Sequence, residues 1–304
     1  MDGWTTRPRL APDRLFGYED EAKMEASEVS RAVAAATSIA EGLDLPVDDA
    51  SVLHNSNKLA LRLLPCDVFA RVAHAGHELA QFEVELALRL AEAGSPVAAL
   101  EPRAEPRGYE CDGFEVTLWT YYEPVTSEVS AAGYANALER LHAGMRMIDV
   151  PAPHFTERVT DAPGHVASTP AFDDADRELL SSRLRDLRRA VTDRGAPEQL
   201  LHGEPHEGNV LSTKLGPLFI DLETCCRGPV EFDLAHGPAA VSEHYPDVDQ
   251  ALLQDCRGLV LAVVAKHRCE PGDQLPNGQR ALRDLLGALR SGPPWPALDV
   301  VMRE

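Results

Sequence analysis

The patterning of this chain changes character at Glu123-Pro124: strand-like alternation around one helical stretch precedes it, and helical periodicity dominates after it. Lys58-Leu-Ala-Leu-Arg-Leu-Leu64, the Pro65-Cys66-Asp67 turn and Val68-Phe-Ala-Arg-Val72 read as two strands joined tightly, and Phe114-Glu-Val-Thr-Leu-Trp-Thr-Tyr121 as a third. Helical patterning covers about residues 27–42. It returns where Leu79, Phe82, Leu86 and Leu90 share one face, with Gly94 and Pro96 as the stop signal. Beyond Pro124 the helical faces are Tyr134, Leu138, Leu141 and Met145, then Leu180, Leu184 and Leu187, then residues 248–267 and 278–289. Residues 150–172 read as a loop rich in Pro and His. Two short runs, 209–212 and 217–221, flank Lys214-Leu215-Gly216 as a small hairpin. The fold class expected is α+β in two lobes with a cleft between them: an N-terminal extension (1–25), a strand-rich N-terminal lobe (26–122) and a mainly helical C-terminal lobe (123–304).

Charge narrows the partners. Asp and Glu number 49 against 29 Lys and Arg, a net charge of −20 with no basic stripe, so a phosphate backbone finds little to bind and nucleic acid is excluded. The longest apolar stretch, 258–265, is too short to cross a bilayer, and no signal peptide is visible, so a soluble cytoplasmic protein without membrane attachment is expected. Cysteines 66, 111, 225, 226, 256 and 269 lack framework spacing and read as reduced thiols.

The chemistry is concentrated in Leu201-His-Gly-Glu-Pro-His-Glu-Gly-Asn209, followed twelve residues on by Asp221. Phosphorylating a hydroxyl needs a carboxylate to take or orient its proton, and oxygen ligands to hold Mg²⁺ on the nucleotide phosphates. Glu204 can supply the first, and Asn209 and Asp221 the others, if the hairpin brings the chain back upon itself. His202, Glu204 and His206 are alternatively zinc ligands of a hydrolase. Pro205 and the glycines suit a loop better than the strand this would need.

With these residues in view the chain resembles the aminoglycoside phosphotransferases and choline kinases, small-molecule relatives of the protein kinases. Their His-Gly-Asp, then Asn, Ile-Asp, Gly and Asp-Leu-Ala find counterparts in His202-Gly203-Glu204, Asn209, Ile220-Asp221, Gly228 and Asp233-Leu234-Ala235. Upstream, Asn55-Ser56-Asn57 stands where the family places its phosphate-covering turn. Arg71 takes the place of the strand lysine, and Glu83 that of its helix partner. The match spans roughly residues 50–290. It implies a two-lobed protein-kinase-like fold and transfer of the γ-phosphoryl group of ATP or GTP, with Mg²⁺, to a hydroxyl of a small molecule such as an amine-bearing antibiotic. Ser56, Asn57, Arg71 and Glu83 then serve the nucleotide, with the link at Tyr121 and Tyr122 offering its backbone to a purine.

Two departures stand out. Glu204 replaces the family's Asp, and its extra methylene moves the carboxylate by about 1.5 Å on a fixed backbone, a displacement that can cost roughly 10²-fold in rate. Arg71 replaces lysine with a bulkier, planar fork. A rival reading is therefore a nucleotide-binding protein without turnover. Arg71 lies in an apolar strand, where an unpaired charge is expensive, so pairing with Glu83 is expected. His202 is expected to orient its loop, Glu207 to be solvated, Asp233 to hold the loop after the metal site by bonding backbone amides, and Cys225 and Cys226 to pack. Glu231, Glu243, Asp247, Asp249 and Asp255, in a segment without Lys or Arg, suggest a cationic acceptor.

Overall fold

The computed structural model describes residues 23–56, 58–76, 79–123, 125, 129–160, 173–268 and 278–302. Most of the expected extension, together with Asn57, Pro124 and Cys269, lies outside them.

Five antiparallel strands form the N-terminal sheet in the order β1-β2-β3-β5-β4: β1 Val47–Asn55, β2 Leu59–Pro65, β3 Val68–His74, β4 Tyr109–Cys111 and β5 Phe114–Thr120. Alternation sorts its two faces. Leu59, Leu61, Leu63, Val68, Ala70, Val72, Val116 and Leu118 are buried in one core, covered by α1 (Ala26–Gly42). That helix presents Ala32, Ala35, Ala36 and Ala40 to the core, small residues that let helix and sheet approach closely. The other face carries Ala60, Arg62, Phe69 and Arg71, which are only partly covered. Register places Ala60 opposite Arg71 and Arg71 opposite Thr117 on this face.

Helix α2 (Leu79–Glu92) follows the sheet's third strand, and its buried Leu86, Ala87 and Leu90 join the larger, C-terminal core rather than the first. Thus the two apolar cores do not divide where strands give way to helices. The larger core is built on α3 (Ala131–Met145), α5 (Asp174–Asp193), α7 (Gln250–His267) and α8 (Gly278–Ser291), with the short α4 (Phe155–Thr160), α6 (Val230–His236) and α9 (Leu298–Val301). Two two-stranded sheets sit in this half: β6 (Gln199–Leu201) with β9 (Cys226–Gly228), and the hairpin β7 (Val210–Thr213)–β8 (Gly216–Phe219). Helix α7 is buried on nearly every side from Leu252 to Ala265, and at Gly258 a Cβ would stand 2.7–3.0 Å from the Trp295 ring. Only glycine fits there without moving the indole.

Several expectations need correction. Strands β1 and β4 and the β6–β9 pair were not expected from the sequence, and the loop at 150–172 contains α4, its residues 161–172 lying outside those described. Strand β1 hides from pattern reading because it is an edge: none of its residues is buried, and irregularities between Val47 and Asp49 and between Val52 and His54 break the two-residue period. The described cysteines are free, and Cys225 and Cys226 are both buried in the larger core. No helix among the described residues is long and apolar enough to cross a membrane.

Candidate active site

The segment after β6 is held from below by one carboxylate. Asp233 on α6 accepts from the backbone N–H of His202 at 2.9 Å and of Gly203 at 2.8 Å. Gly203 sits at φ 91°, where an L side chain would be strained, so the chain can turn sharply above that carboxylate. His142 of α3 lies 2.9 Å from the same Asp233 through Nε2, and its Nδ1 lies 2.7 Å from the Tyr245 hydroxyl. With Nε2 protonated, the chain Tyr245 O–H to His142 to Asp233 is satisfied donor by donor. His142 and Asp233 are fully buried. Burial opposes the Asp233 charge, but the His142 hydrogen bond and the surrounding histidines outweigh it and hold the carboxyl below its ordinary range.

Other bonds fix the turn's crown. The Tyr134 hydroxyl donates to the Pro205 carbonyl, and Thr224 Oγ1 donates to the His202 carbonyl at 3.1 Å. The His202 ring lies 2.9 Å from the Ile220 carbonyl through Nε2 and accepts from Glu204 N at 3.4 Å through Nδ1. It orients the loop, and burial lowers its pKa, favouring the neutral ring. His206 Nδ1 accepts from Gly208 N at 3.1 Å. The two histidines are thus committed to the loop, and among the described residues no three His, Cys, Asp or Glu side chains gather to hold a metal. A zinc centre at His202, Glu204 and His206 is set aside.

The β7–β8 hairpin does return the chain: Ile220 N donates to the Asn209 carbonyl at 3.1 Å, setting Asp221 beside Asn209. Asn209 donates its side-chain Nδ2 to the Glu204 carbonyl at 3.0 Å, which leaves its Oδ1 without a partner among the described residues. Asp221 sits at φ 66°, ψ 60°, a left-handed conformation uncommon outside glycine, Asn and Asp. One of its oxygens accepts from Arg71 Nη2 at 2.9 Å.

Arg71 crosses from the sheet to the lower half. Its Nη1 bonds Glu83 at 2.5 Å while Nη2 bonds Asp221, and Glu83, only 2% exposed, also accepts from Leu222 N at 3.2 Å. Burial alone would lower the guanidinium's pKa; Asp221 and Glu83 outweigh it and push it up. Likewise burial disfavours the Asp221 charge, yet Arg71 and Lys58 hold that carboxyl well below the usual range. Lys58 itself bonds Glu223, two residues beyond Asp221. For Glu223 burial wins, helped by Asp221, and its carboxyl is raised.

The remaining sequence candidates scatter more widely. Ser56 donates its backbone N–H to Lys58 at 3.1 Å at the β1–β2 turn, whereas Asn55 turns its side chain away to exchange two hydrogen bonds with the Met24 backbone. The Tyr121 ring lies beneath the Arg62 guanidinium at 3.8 Å, and the Tyr122 hydroxyl accepts from Ala99 N at 3.2 Å. Of the acidic segment, Asp249 caps α7, Glu231 accepts from Asp249 N at 3.0 Å, and Asp255 pairs with Arg194 at 2.6 Å. These bonds give Asp249, Glu231 and Asp255 each a role in the local fold. Sequence reasoning missed His142, Tyr245, Lys58 and Glu223; only the Asp221-Leu222-Glu223 spacing hinted at the last.

A family model described as the phosphotransferase enzyme family matches residues 54–258. Among solved structures, amicoumacin kinase hAmiN in complex with AMP-PNP, Ca²⁺ and Ami superposes with a TM-score of 0.68 at 10% identity, covering 91% of this chain and 100% of that one. Spectinomycin phosphotransferase APH(9)-Ia in complex with ADP and spectinomycin gives 0.60 at 14% identity, over 91% and 98%. Choline kinase LicA from Streptococcus pneumoniae gives 0.59 at 14% identity, over 84% and 98%. No curated protein sequence matches the chain. At such identities the likeness is one of fold: kinase-like, with a sheet-rich N-terminal part and a helical C-terminal part.

Proposed function

Since this chain belongs to the phosphotransferase enzyme family, we propose that it moves the γ-phosphoryl group of ATP or GTP to a hydroxyl of a small molecule. The observation that carries this is the convergence of Arg71 from the sheet, Glu83 from α2, and Asp221 and the Glu204–Asn209 turn from the C-terminal half. In this reading Arg71 grips phosphate, and Glu83 positions Arg71 by holding one edge of its fork. The Oδ1 of Asn209 and the free oxygen of Asp221 fit Mg²⁺, a hard cation that takes one or two protein oxygens and completes its shell with phosphate and water. Mg²⁺ so held supplies charge to neutralise the transferring phosphoryl group.

Glu204 takes the acceptor's proton as the acceptor oxygen bonds to the γ-phosphorus and the bond to the β-phosphate oxygen breaks. Its loop is pinned by His202, Asn209 and Asp233, so the longer side chain works from a fixed backbone. Glu204→Gln should therefore lower kcat by about 10²–10⁴-fold, with nucleotide affinity unchanged. Glu204→Asp restores the family's side chain and should keep turnover measurable. Equal activity of wild type and both variants would remove Glu204 from the reaction. If no product forms from radiolabelled ATP or GTP across a broad panel of hydroxylated small molecules, the rival holds: a nucleotide-binding protein in which the Asp-to-Glu change has cost turnover.

The Arg71–Glu83 pair gives an independent test. In a double-mutant cycle on nucleotide affinity the two should couple by about 0.5–3 kcal/mol, the double variant binding hardly worse than Arg71→Ala alone. Strict additivity would mean that Glu83 does not act through Arg71.

A further inference from the structure

We propose that Lys58 is a second ligand for the nucleotide's phosphates, and that Glu223 is the partner it gives up to bind them. The inference rests on the nucleotide-binding reading above and assigns a residue which that reading does not use.

Placement comes first. Continuing the β2–β3 register one step beyond the Leu59–Val72 pair sets Lys58 opposite Ala73, diagonal to Arg71. Because Ala60 lies opposite Arg71, Lys58, two residues earlier, shares the sheet face of Arg71, and such diagonal positions are roughly 7–8 Å apart. Leu59 and Leu61 between them point into the N-terminal core. Lys58 also begins the run into β2, where Ser56 N bonds the Lys58 carbonyl.

Its bond joins the sheet to the segment after Asp221. Nζ reaches Glu223 Oε2, 165 residues away in sequence, with side chains only 15% and 13% exposed. Each of these charged ends has the other as its only hydrogen-bond partner among the described residues. Arg71, in contrast, is held by two carboxylates at once. The cluster contains three carboxylates, Glu83, Asp221 and Glu223, around two cations, Arg71 and Lys58, an excess of one negative charge when all are ionised. Lys58 has already lost most of its water to Glu223, so trading one anion for another adds little desolvation cost. A lysine ammonium suits the trade, since it binds phosphate as a point charge and needs no fixed fork geometry.

Binding of AMP and of AMP-PNP, each with Mg²⁺, to the full chain distinguishes phosphate contact from everything else. Lys58→Ala should weaken AMP-PNP by about 10- to 100-fold, as for one charged hydrogen bond, and AMP by less than about twofold. Lys58→Arg, which keeps the charge, should recover most of that loss, and Glu223→Gln should bind AMP-PNP as tightly as wild type or more so. Unchanged AMP-PNP affinity in Lys58→Ala overturns the proposal, as does an equal loss for AMP, which would report damage to the fold. A Glu223→Gln variant as weak as Lys58→Ala overturns the exchange. Failure of the wild type to bind either nucleotide strikes instead at the reading on which the proposal rests.

Discussion

Asp221→Asn should lower kcat/KM by about 10³-fold or more, roughly 4 kcal/mol of transition-state stabilisation, in a protein that still folds. Asparagine is the informative replacement because Asp221 sits at φ 66°, ψ 60°. Asn tolerates that left-handed conformation, whereas most L-residues are penalised there by about 1–2 kcal/mol, and Asp221→Ala would mix strain with lost chemistry. The amide oxygen can still accept from Arg71, but the other carboxylate oxygen becomes an NH₂ that repels a cation. Removing one negative charge also leaves one carboxylate for each cation, Glu83 for Arg71 and Glu223 for Lys58, so the fold loses little. The rise in Tm that Mg²⁺ adds to nucleotide binding should disappear, since a ligand stabilises only by binding the native state. A variant that keeps both its turnover and the full magnesium-dependent shift would remove Asp221 from the proposed metal site.

The site was legible in the sequence where its residues are close together. Glu204, Asn209 and Asp221 fall within one turn and one hairpin, and the hairpin itself followed from two apolar runs around a Gly-containing turn. Asp233 was legible through its place in the Asp-Leu-Ala resemblance as a binder of backbone amides, but those it binds belong to His202 and Gly203 in the turn after β6, not to the loop after Asp221. Arg71 and Glu83, twelve residues apart, were paired by the resemblance, and an energetic argument supported the pairing: a guanidinium in an apolar strand needs a partner. No comparable signal pointed to Lys58, whose partner is 165 residues away, or to His142, which reads as one more residue on an apolar helix. Local patterning reports which face a side chain takes. It carries no information about what a distant segment brings to that face, and so the Lys58–Glu223 ion pair and the Tyr245–His142–Asp233 chain emerge only from the packed structure.

That buried chain sets the second large expectation: Asp233→Asn should destabilise the protein by about 3–5 kcal/mol, the usual cost of breaking a buried, fully bonded charge. One carboxylate serves three donors, the N–H groups of His202 and Gly203 and the His142 ring. An asparagine can present its oxygen to one side only, and its NH₂ then faces another donor, leaving a buried polar group unsatisfied. Against a typical total stability of about 5–15 kcal/mol the loss is large, and chemical denaturation reads it directly. The pH dependence has a definite sign. The native Asp233 carboxyl is depressed below its unfolded value, so its contribution is fully present above the ordinary Asp range, near pH 4, and is lost as pH falls through the native pKa. The stability gap between wild type and Asp233→Asn should accordingly be widest near neutrality and narrow in acid. Tyr245→Phe separates the ends of the chain, since it removes the donor to His142 Nδ1 but leaves Asp233 charged; it should cost about 0.5–1.5 kcal/mol, the net worth of one hydrogen bond. A loss below 1 kcal/mol in Asp233→Asn, constant from neutral pH into acid, would mean that the turn after β6 is held by Tyr134, Thr224 and the His202 ring without this carboxylate.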